Sequence, residues 1–215
     1  MEETIKRFYD KNSIGKSFPF EPTNAYDHQN IAKVEYENYH PFIKELIDEH
    51  KKMTLVLNNF EMSLIDWRIN DWEFKETINE NFKSFFTLIK EKVPIHNKKE
   101  DKVLLPLLNK KLIELCDQNF LNCELTGNDL IVDEHLKIEQ AASIVFNLLD
   151  IGLSLFDKQS KEITFAAVFE QGLAIVETIK LHIYREENIL FPQSMKLLNW
   201  NEITFQSSDI LKELF

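Results

Sequence analysis

The feature that most constrains this sequence is an internal repeat built on histidines and carboxylates. Residues 47–53, IDEHKKM, match residues 132–138, VDEHLKI; residues 96–106, HNKKEDKVLLP, match residues 182–192, HIYREENILFP. Each half is therefore a segment with one histidine, followed by a segment that carries His-x-x-x-Glu and ends at a proline. A duplication of this kind predicts two similar helical hairpins related by an approximate two-fold axis.

Hydrophobic periodicity predicts that both segments of each half are helices. Stripes at steps of three and four, mostly apolar, run over residues 43–64, 74–100, 131–156 and 165–189, so each segment has one apolar face. The chain contains only 4 Gly and 6 Pro among 215 residues, which favours long helices. Four helices with one apolar face each predict an all-α, up-down four-helix bundle.

The bundle is predicted to occupy residues 40–199. Residues 1–39 form an irregular N-terminal arm, and residues 200–215 form a tail that includes a short amphipathic helix. Pro94 interrupts the second stripe, so we expect a bend there. The connection between the halves is expected from Asn119 to Asp129, with Gly127 inside it.

Composition excludes several classes of protein. A net charge of −11 argues against nucleic acid as the main partner. No apolar run approaches the length of a membrane span, and the polar start does not resemble a signal peptide. The two cysteines, Cys116 and Cys123, do not form a disulfide framework. A cytoplasmic protein without a membrane partner is the simplest interpretation, and a homodimer remains open.

Four of the six histidines lie on the apolar stripes, one on each predicted helix: His50, His96, His135 and His182. A single histidine on such a face is usually a hydrogen-bonded core residue. Four of them at repeat-equivalent positions have no packing reason to lie at one level, whereas a metal site would require it.

Glu100 and Glu186 strengthen the metal interpretation. Each follows a stripe histidine by four residues and therefore shares its helix face. A buried carboxylate must be protonated, paired or bound to metal, and the stripes offer few Lys or Arg as partners. Facing Glu and His side chains inside a bundle are a known way to build a two-metal site.

Glu139 is the seventh candidate ligand, because it follows His135 by four residues. An edge position paired with a lysine is the alternative, since its repeat partner is Thr54. If Glu139 binds, the open coordination position should be on the metal held by His50 and His96. Asp101 and Glu187 lie about 100° further round their helix, so we expect them to lie behind the ligands or to face solvent, unless distortion of the helix exchanges them with Glu100 and Glu186.

The donor types favour iron, with manganese as the alternative. Structural zinc prefers four tetrahedral ligands and fits less well. The Glu-x-x-His pattern of ferritin-like proteins is excluded, because apolar residues precede each of the four histidines by three positions.

These motifs resemble the hemerythrin-like (HHE cation-binding) family over residues 40–199: DEH at 48–50 and 133–135, His96-x-x-x-Glu100-Asp, and HIYREENILFP. The resemblance implies two iron ions bridged by an oxo or hydroxo group and by two carboxylates. It places His50 and His96 on one iron, His135 and His182 on the other, and Glu100 and Glu186 between them.

The chain departs from oxygen-carrying hemerythrins at Glu139, where they have a second histidine, and in its last motif. It is similar in ligand type to iron-repair members, but its N-terminus has no cysteine. We expect a protein that binds oxygen, nitric oxide or peroxide for sensing, storage or detoxification, rather than a dedicated enzyme. The alternatives are an iron-centre repair or peroxidase-type oxidoreductase and an iron-responsive interaction module.

Overall fold

Four helical runs make up most of the structure, a computed structural model that describes residues 34–119 and 127–200. Helix α1 is Pro41–Ile69. Helix α2 covers residues 76–119 in consecutive segments, α3 is Gly127–Ser154, and α4 covers residues 158–197. A short 3₁₀ helix, Tyr36–Asn38, precedes α1. No strand occurs within the described ranges.

The helix ends follow from local sequence. Pro41 occupies the first turn of α1, and the His40 side chain accepts a hydrogen bond from the Phe42 backbone N–H. Asp157 caps α4 by accepting from the Ser160 N–H at 2.7 Å. After α1 the chain turns through Asp71 and Trp72, whose φ angles of 50° and 65° are rare for residues other than glycine.

Helices α2 and α4 are continuous but contain π-helical turns at Leu88–Lys92, Glu100–Leu104 and Glu186–Leu190. Each turn ends two residues before a proline: Pro94, Pro106 or Pro192. Proline cannot donate to the carbonyl four residues earlier and clashes with it. A widened turn accommodates that clash, so the interruption predicted at Pro94 takes the form of a π turn within a continuing helix.

The buried apolar residues form two clusters, and each of the four helices contributes to both. One cluster contains Met53, Phe60, Phe85, Val145 and Phe165. The other contains Ile43, Leu46, Leu108, Ile131 and Phe191. Along α1 and α3 the chain passes from the second cluster to the first, and along α2 and α4 it passes back. The stripe histidines lie where each helix crosses between the clusters.

The larger cluster is rich in aromatic rings. Phe60 stacks on Phe85 with ring centroids 3.8 Å apart, and Trp67, fully buried, lies 5.0 Å from Trp72. The packing of Trp72 on Trp67 and Phe165 offsets the backbone strain of the turn after α1.

Several predictions concern segments outside the described residues. These are most of the arm (1–33), the tail (201–215) and the connection through residues 120–126, so the tail helix and Cys123 are not described. No helix in the described part of the chain combines the length and apolar character needed to cross a membrane.

Replacing Phe60 by alanine should lower the free energy of unfolding by about 3–5 kcal/mol, because it removes a ring from a close-packed cluster and leaves a cavity. Urea unfolding monitored by circular dichroism would measure this. Leu55 lies on the same helix but is 63% exposed, so Leu55→Ala serves as the control and should change stability by less than about 1 kcal/mol. Equal effects of the two substitutions would contradict the packing described here.

Candidate metal centre

The layer between the two apolar clusters contains six buried metal-binding side chains. His50, His96, His135 and His182 are between 1 and 6% exposed, and Glu100 and Glu186 are completely buried. One histidine comes from each helix, and the two glutamates come from α2 and α4. The repeat thus brings together the six residues predicted from the His and His-x-x-x-Glu motifs.

These six side chains form two groups that share both glutamates. His50 and His96 form one group with Glu100 and Glu186, and His135 and His182 form the other with the same two carboxylates. Within each group, one ligand atom per residue lies within 4.8 Å of the others. Each group could hold a metal ion, and the shared glutamates could bridge two ions.

The Nε2 atoms of the histidines point towards the glutamates. His50 Nε2 lies 3.2 Å from Glu186 Oε2, and His182 Nε2 lies 3.0 Å from Glu186 Oε1. His135 Nε2 lies 3.3 Å from Glu100 Oε2, and His96 Nε2 lies 3.5 Å from Glu100 Oε1. His50 Nε2 and His96 Nε2 are only 3.0 Å apart, which is too close for two unshared lone pairs.

Each histidine has a different carboxylate at its Nδ1 atom, on the outer side of the layer. Glu187 lies 3.0 Å from His50 Nδ1, and Asp101 lies 3.1 Å from His135 Nδ1. Both contacts join one half of the chain to the other. A carboxylate only accepts, so when a cation lies at Nε2 each neutral imidazole carries its proton on Nδ1 and donates it to the outer carboxylate. The Nε2 lone pairs therefore face inwards, as metal ligands require.

Glu49 and Glu134 complete this outer ring within each half. Glu49 lies 2.8 Å from His96 Nδ1, and Glu134 lies 3.0 Å from His182 Nδ1. The other oxygen of each carboxylate contacts a cation at repeat-equivalent positions: Lys99 donates to Glu49, and Arg185 donates to Glu134. Lys99 is only 3% exposed and also donates to Glu45. These cations hold the two carboxylates in place.

The interior of the layer therefore contains acceptors without donors. Within residues 34–119 and 127–200, both oxygens of Glu100 and of Glu186, together with His135 Nε2, are buried without a hydrogen-bond partner. Buried groups of this kind are costly unless a cation or a proton neutralises them. A mixed set of imidazole nitrogens and carboxylate oxygens is a donor set that divalent transition metals bind well. The residues present fit a metal centre.

Without metal, protons must neutralise the layer. Burial opposes charge on His96, but Glu100 and Glu49 prevail and raise its pKa to about 10. Burial opposes charge on His135 as well, yet Asp101 and Glu100 raise its pKa to about 11. Burial would raise the pKa of Glu49, but hydrogen bonds from His96 and Lys99 lower it to about 2.

Glu139 is not brought into either group. Its side chain is exposed and lies on the outer wall of a pocket beside His135. Four residues on an α-helix turn the chain about 40° past the starting direction, which is enough to leave Glu139 at the edge of the apolar face. The structure therefore brings together six of the seven residues predicted as ligands.

The contacts of Glu49 and Glu134 were not predicted from sequence. Both glutamates belong to the repeated DEH motif, and that recurrence was the available signal. Asp101 and Glu187 lie outside the ligand groups, as expected, and their contacts with histidines of the opposite half were not foreseen. Comparison with known proteins adds no assignment, because no family model, curated protein or solved structure matches the chain.

The stability of the metal-free chain should depend on pH. His96 and His135 bind protons more tightly folded than unfolded, where the pKa is 6.5. The stabilisation is therefore full below about pH 6.5 and is lost as pH rises towards 10. Bound metal replaces those protons, so the loaded chain should not show this loss. Thermal unfolding of both forms between about pH 6 and pH 10 measures the effect. A metal-free melting temperature that does not fall over this range would contradict it.

Glu49→Gln and Glu134→Gln should each weaken metal binding by about 10- to 100-fold, because the outer carboxylate fixes the tautomer and orientation of a ligand histidine. Asp48→Asn and Asp133→Asn are the matched controls: each removes one charge at the neighbouring exposed residue, which pairs with a surface lysine instead. Competition with a chelator measures the affinity. If the glutamate variants bind metal as tightly as the aspartate variants, the outer ring does not support the centre.

Proposed function

We propose that this protein binds two iron ions in a hemerythrin-like, up-down four-helix bundle and uses them to bind a small ligand. The single observation that carries the proposal is the pair of buried ligand groups sharing Glu100 and Glu186. A shared carboxylate pair is what two adjacent ions require, whereas two independent sites would not need common ligands.

The order of the two apolar clusters supports the up-down arrangement. Successive helices cross the histidine layer in opposite senses, as in a bundle whose neighbours are antiparallel. Four long helices, each with one histidine in that layer, match the architecture implied by the sequence resemblance.

Iron is the metal we favour, with manganese as the alternative. Four imidazoles and two carboxylates suit iron or manganese better than the closed, four-coordinate sites of structural zinc. When bound, the ions would supply redox chemistry and open coordination positions. With Glu139 outside the ligand set, one more position remains open than the sequence alone indicated.

The small ligand we propose is oxygen, nitric oxide or peroxide, bound for sensing, storage or detoxification. Two features of this chain support a small ligand. The centre is buried between two apolar clusters, which excludes bulky substrates, and its inward-facing donors are held by an outer ring of carboxylates. Cycles of turnover with peroxide and a reductant would instead favour the oxidoreductase alternative.

Reconstitution with ferrous iron under anaerobic conditions should give about two irons per chain, the number of ligand groups in the layer. Mass spectrometry measures the metal content, and absorption spectra before and after air exposure report the oxidation state. Glu186→Gln should lose metal from both groups because its carboxylate is shared. Glu139→Gln is the control and should keep the full content.

Parallel loading with manganese and zinc distinguishes the metals. Failure to retain any metal would overturn the proposal. One iron per chain would also overturn it, because a single site leaves one of the two histidine pairs without a role.

A further inference from the structure

A pocket of about 210 Å³ opens beside His135, between α2 and α3. His135 and Asp101 form its inner wall, and Asn97, Lys98 and Glu139 line it further out. The remaining wall is apolar, with Ile89, Val93, Val132, Leu136 and Ile138. It is smaller than the roughly 300–1,000 Å³ typical of sites for drug-sized ligands, so it suits a molecule of a few atoms.

The pocket marks a place where the two halves differ. Asn97 occupies the position that Ile183 has in the second half, and Pro94 the position of Lys180. Ile183 is buried in the larger apolar cluster, and so are Ile175 and Ile179 on the same face of α4. A short polar Asn97 in place of a buried isoleucine leaves space between α2 and α3 that large apolar side chains fill between α4 and α1.

Some residues of α1 are more buried than the pocket-lining residues of α3 to which they correspond. Val132 and Glu139 line the pocket and are exposed, whereas their repeat counterparts Ile47 and Thr54 are buried and half-buried. His135 is 6% exposed against 1% for His50. The ligand layer is approximately two-fold symmetric, but the residues around it are not: Val132 and Glu139 are more exposed than their counterparts in the first half.

We propose that this pocket is the access route by which a small uncharged ligand reaches the metal position formed by His135 and His182. The inference rests on the proposed function and specifies which half of the centre the ligand meets. The sequence predicts a different position: if Glu139 were a ligand, the open coordination position would be on the metal held by His50 and His96. The pocket instead brings the small ligand to the metal position formed by His135 and His182.

The lining also indicates the chemical class of the ligand. Most of the wall is apolar, and when His135 is neutral, as it would be on a metal ion, Asp101 and Glu139 outnumber Lys98 among the charged lining residues. Such a wall favours an uncharged diatomic molecule and disfavours a small anion, whose charge it repels. Asp101 and His135 both line the pocket, so a ligand that enters it meets this carboxylate beside the histidine.

Dissolved oxygen gas tests the access route on the metal-free chain by NMR. Ile138 and Ile179 are almost equally buried, at 2% and 3%, but only Ile138 lines this pocket. The Ile138 methyl groups should show a larger oxygen-induced paramagnetic shift than those of Ile179, and Asn97→Ile should remove the excess. Equal shifts in the wild-type chain would overturn the access route, whatever the metal content.

Nitric oxide binding to the ferrous-loaded chain tests the role of the pocket by stopped-flow absorption. Leu136→Trp fills it from α3 at an exposed position and should slow binding severalfold. Lys51→Trp, at the repeat-equivalent exposed position on α1, is the control and should bind at the wild-type rate. If the wild-type chain binds iron but not nitric oxide, the proposed function fails. If Leu136→Trp and Lys51→Trp bind it equally fast, the access route fails.

Azide tests the charge of the lining on the oxidised, loaded chain. Glu139→Lys reverses one charge among the lining residues without changing a member of the two ligand groups in the structure, and it should speed azide binding severalfold while leaving the nitric oxide rate nearly unchanged. An unchanged azide rate would overturn the assignment of an uncharged ligand.

Discussion

Everything in this structure depends on the neutralisation of two carboxylates that water cannot reach. Glu100 and Glu186 are completely buried, and none of their four oxygens has a hydrogen-bond partner among the residues that the structure describes. Imidazole Nε2 atoms lie 3.0–3.5 Å from them, and the outer nitrogens of these imidazoles contact other carboxylates. Positive charge must therefore enter the layer as protons or as metal ions, and the choice between these two sets the stability, the pH response and the chemistry of the chain.

The two apolar clusters make that requirement stronger. They seal the layer at both of its ends with close-packed rings and branched side chains, so the local environment is far less polarisable than water. The outer ring of Glu49, Asp101, Glu134 and Glu187 lowers the free-energy cost of placing positive charge in this layer. It stabilises positive charge on the histidines and holds each ring in one orientation, which lowers the cost of organising the centre when an ion binds.

The helical segments and six of the residues in the candidate metal centre could be predicted from sequence, because helices follow from the hydrophobic period and the six residues recur in the duplicated motifs. His96 and Glu100 share a face in any α-helix, and the second copy removes the chance that the spacing is accidental. Glu139 shows the limit of the same reasoning. Four residues of an α-helix turn about 40° beyond one full turn. Whether that rotation leaves the Glu139 carboxylate among the ligand groups or at the edge of the apolar face depends on how α3 packs against its neighbours.

The remaining features depend on contacts between helices, which periodicity does not encode. Glu49 reaches a histidine on another helix, and Asp101 reaches one in the other half of the chain. The sequence does contain a signal for two of the π turns: a proline lies six residues after each shared glutamate. The wider turn places Glu100 towards the centre and the next residue, Asp101, towards His135, so two consecutive carboxylates serve different helices.

The crossed contacts Glu187 with His50 and Asp101 with His135 have a consequence for the origin of the chain. Neither half contains the full set of partners for its own histidines, because each half supplies one carboxylate to the other. A half-length ancestor with one hairpin would satisfy its histidines only by pairing with a second copy in a symmetric, reciprocal exchange. A fusion of two such copies would leave each free to diverge, which would account for the different surroundings of His135 and His50.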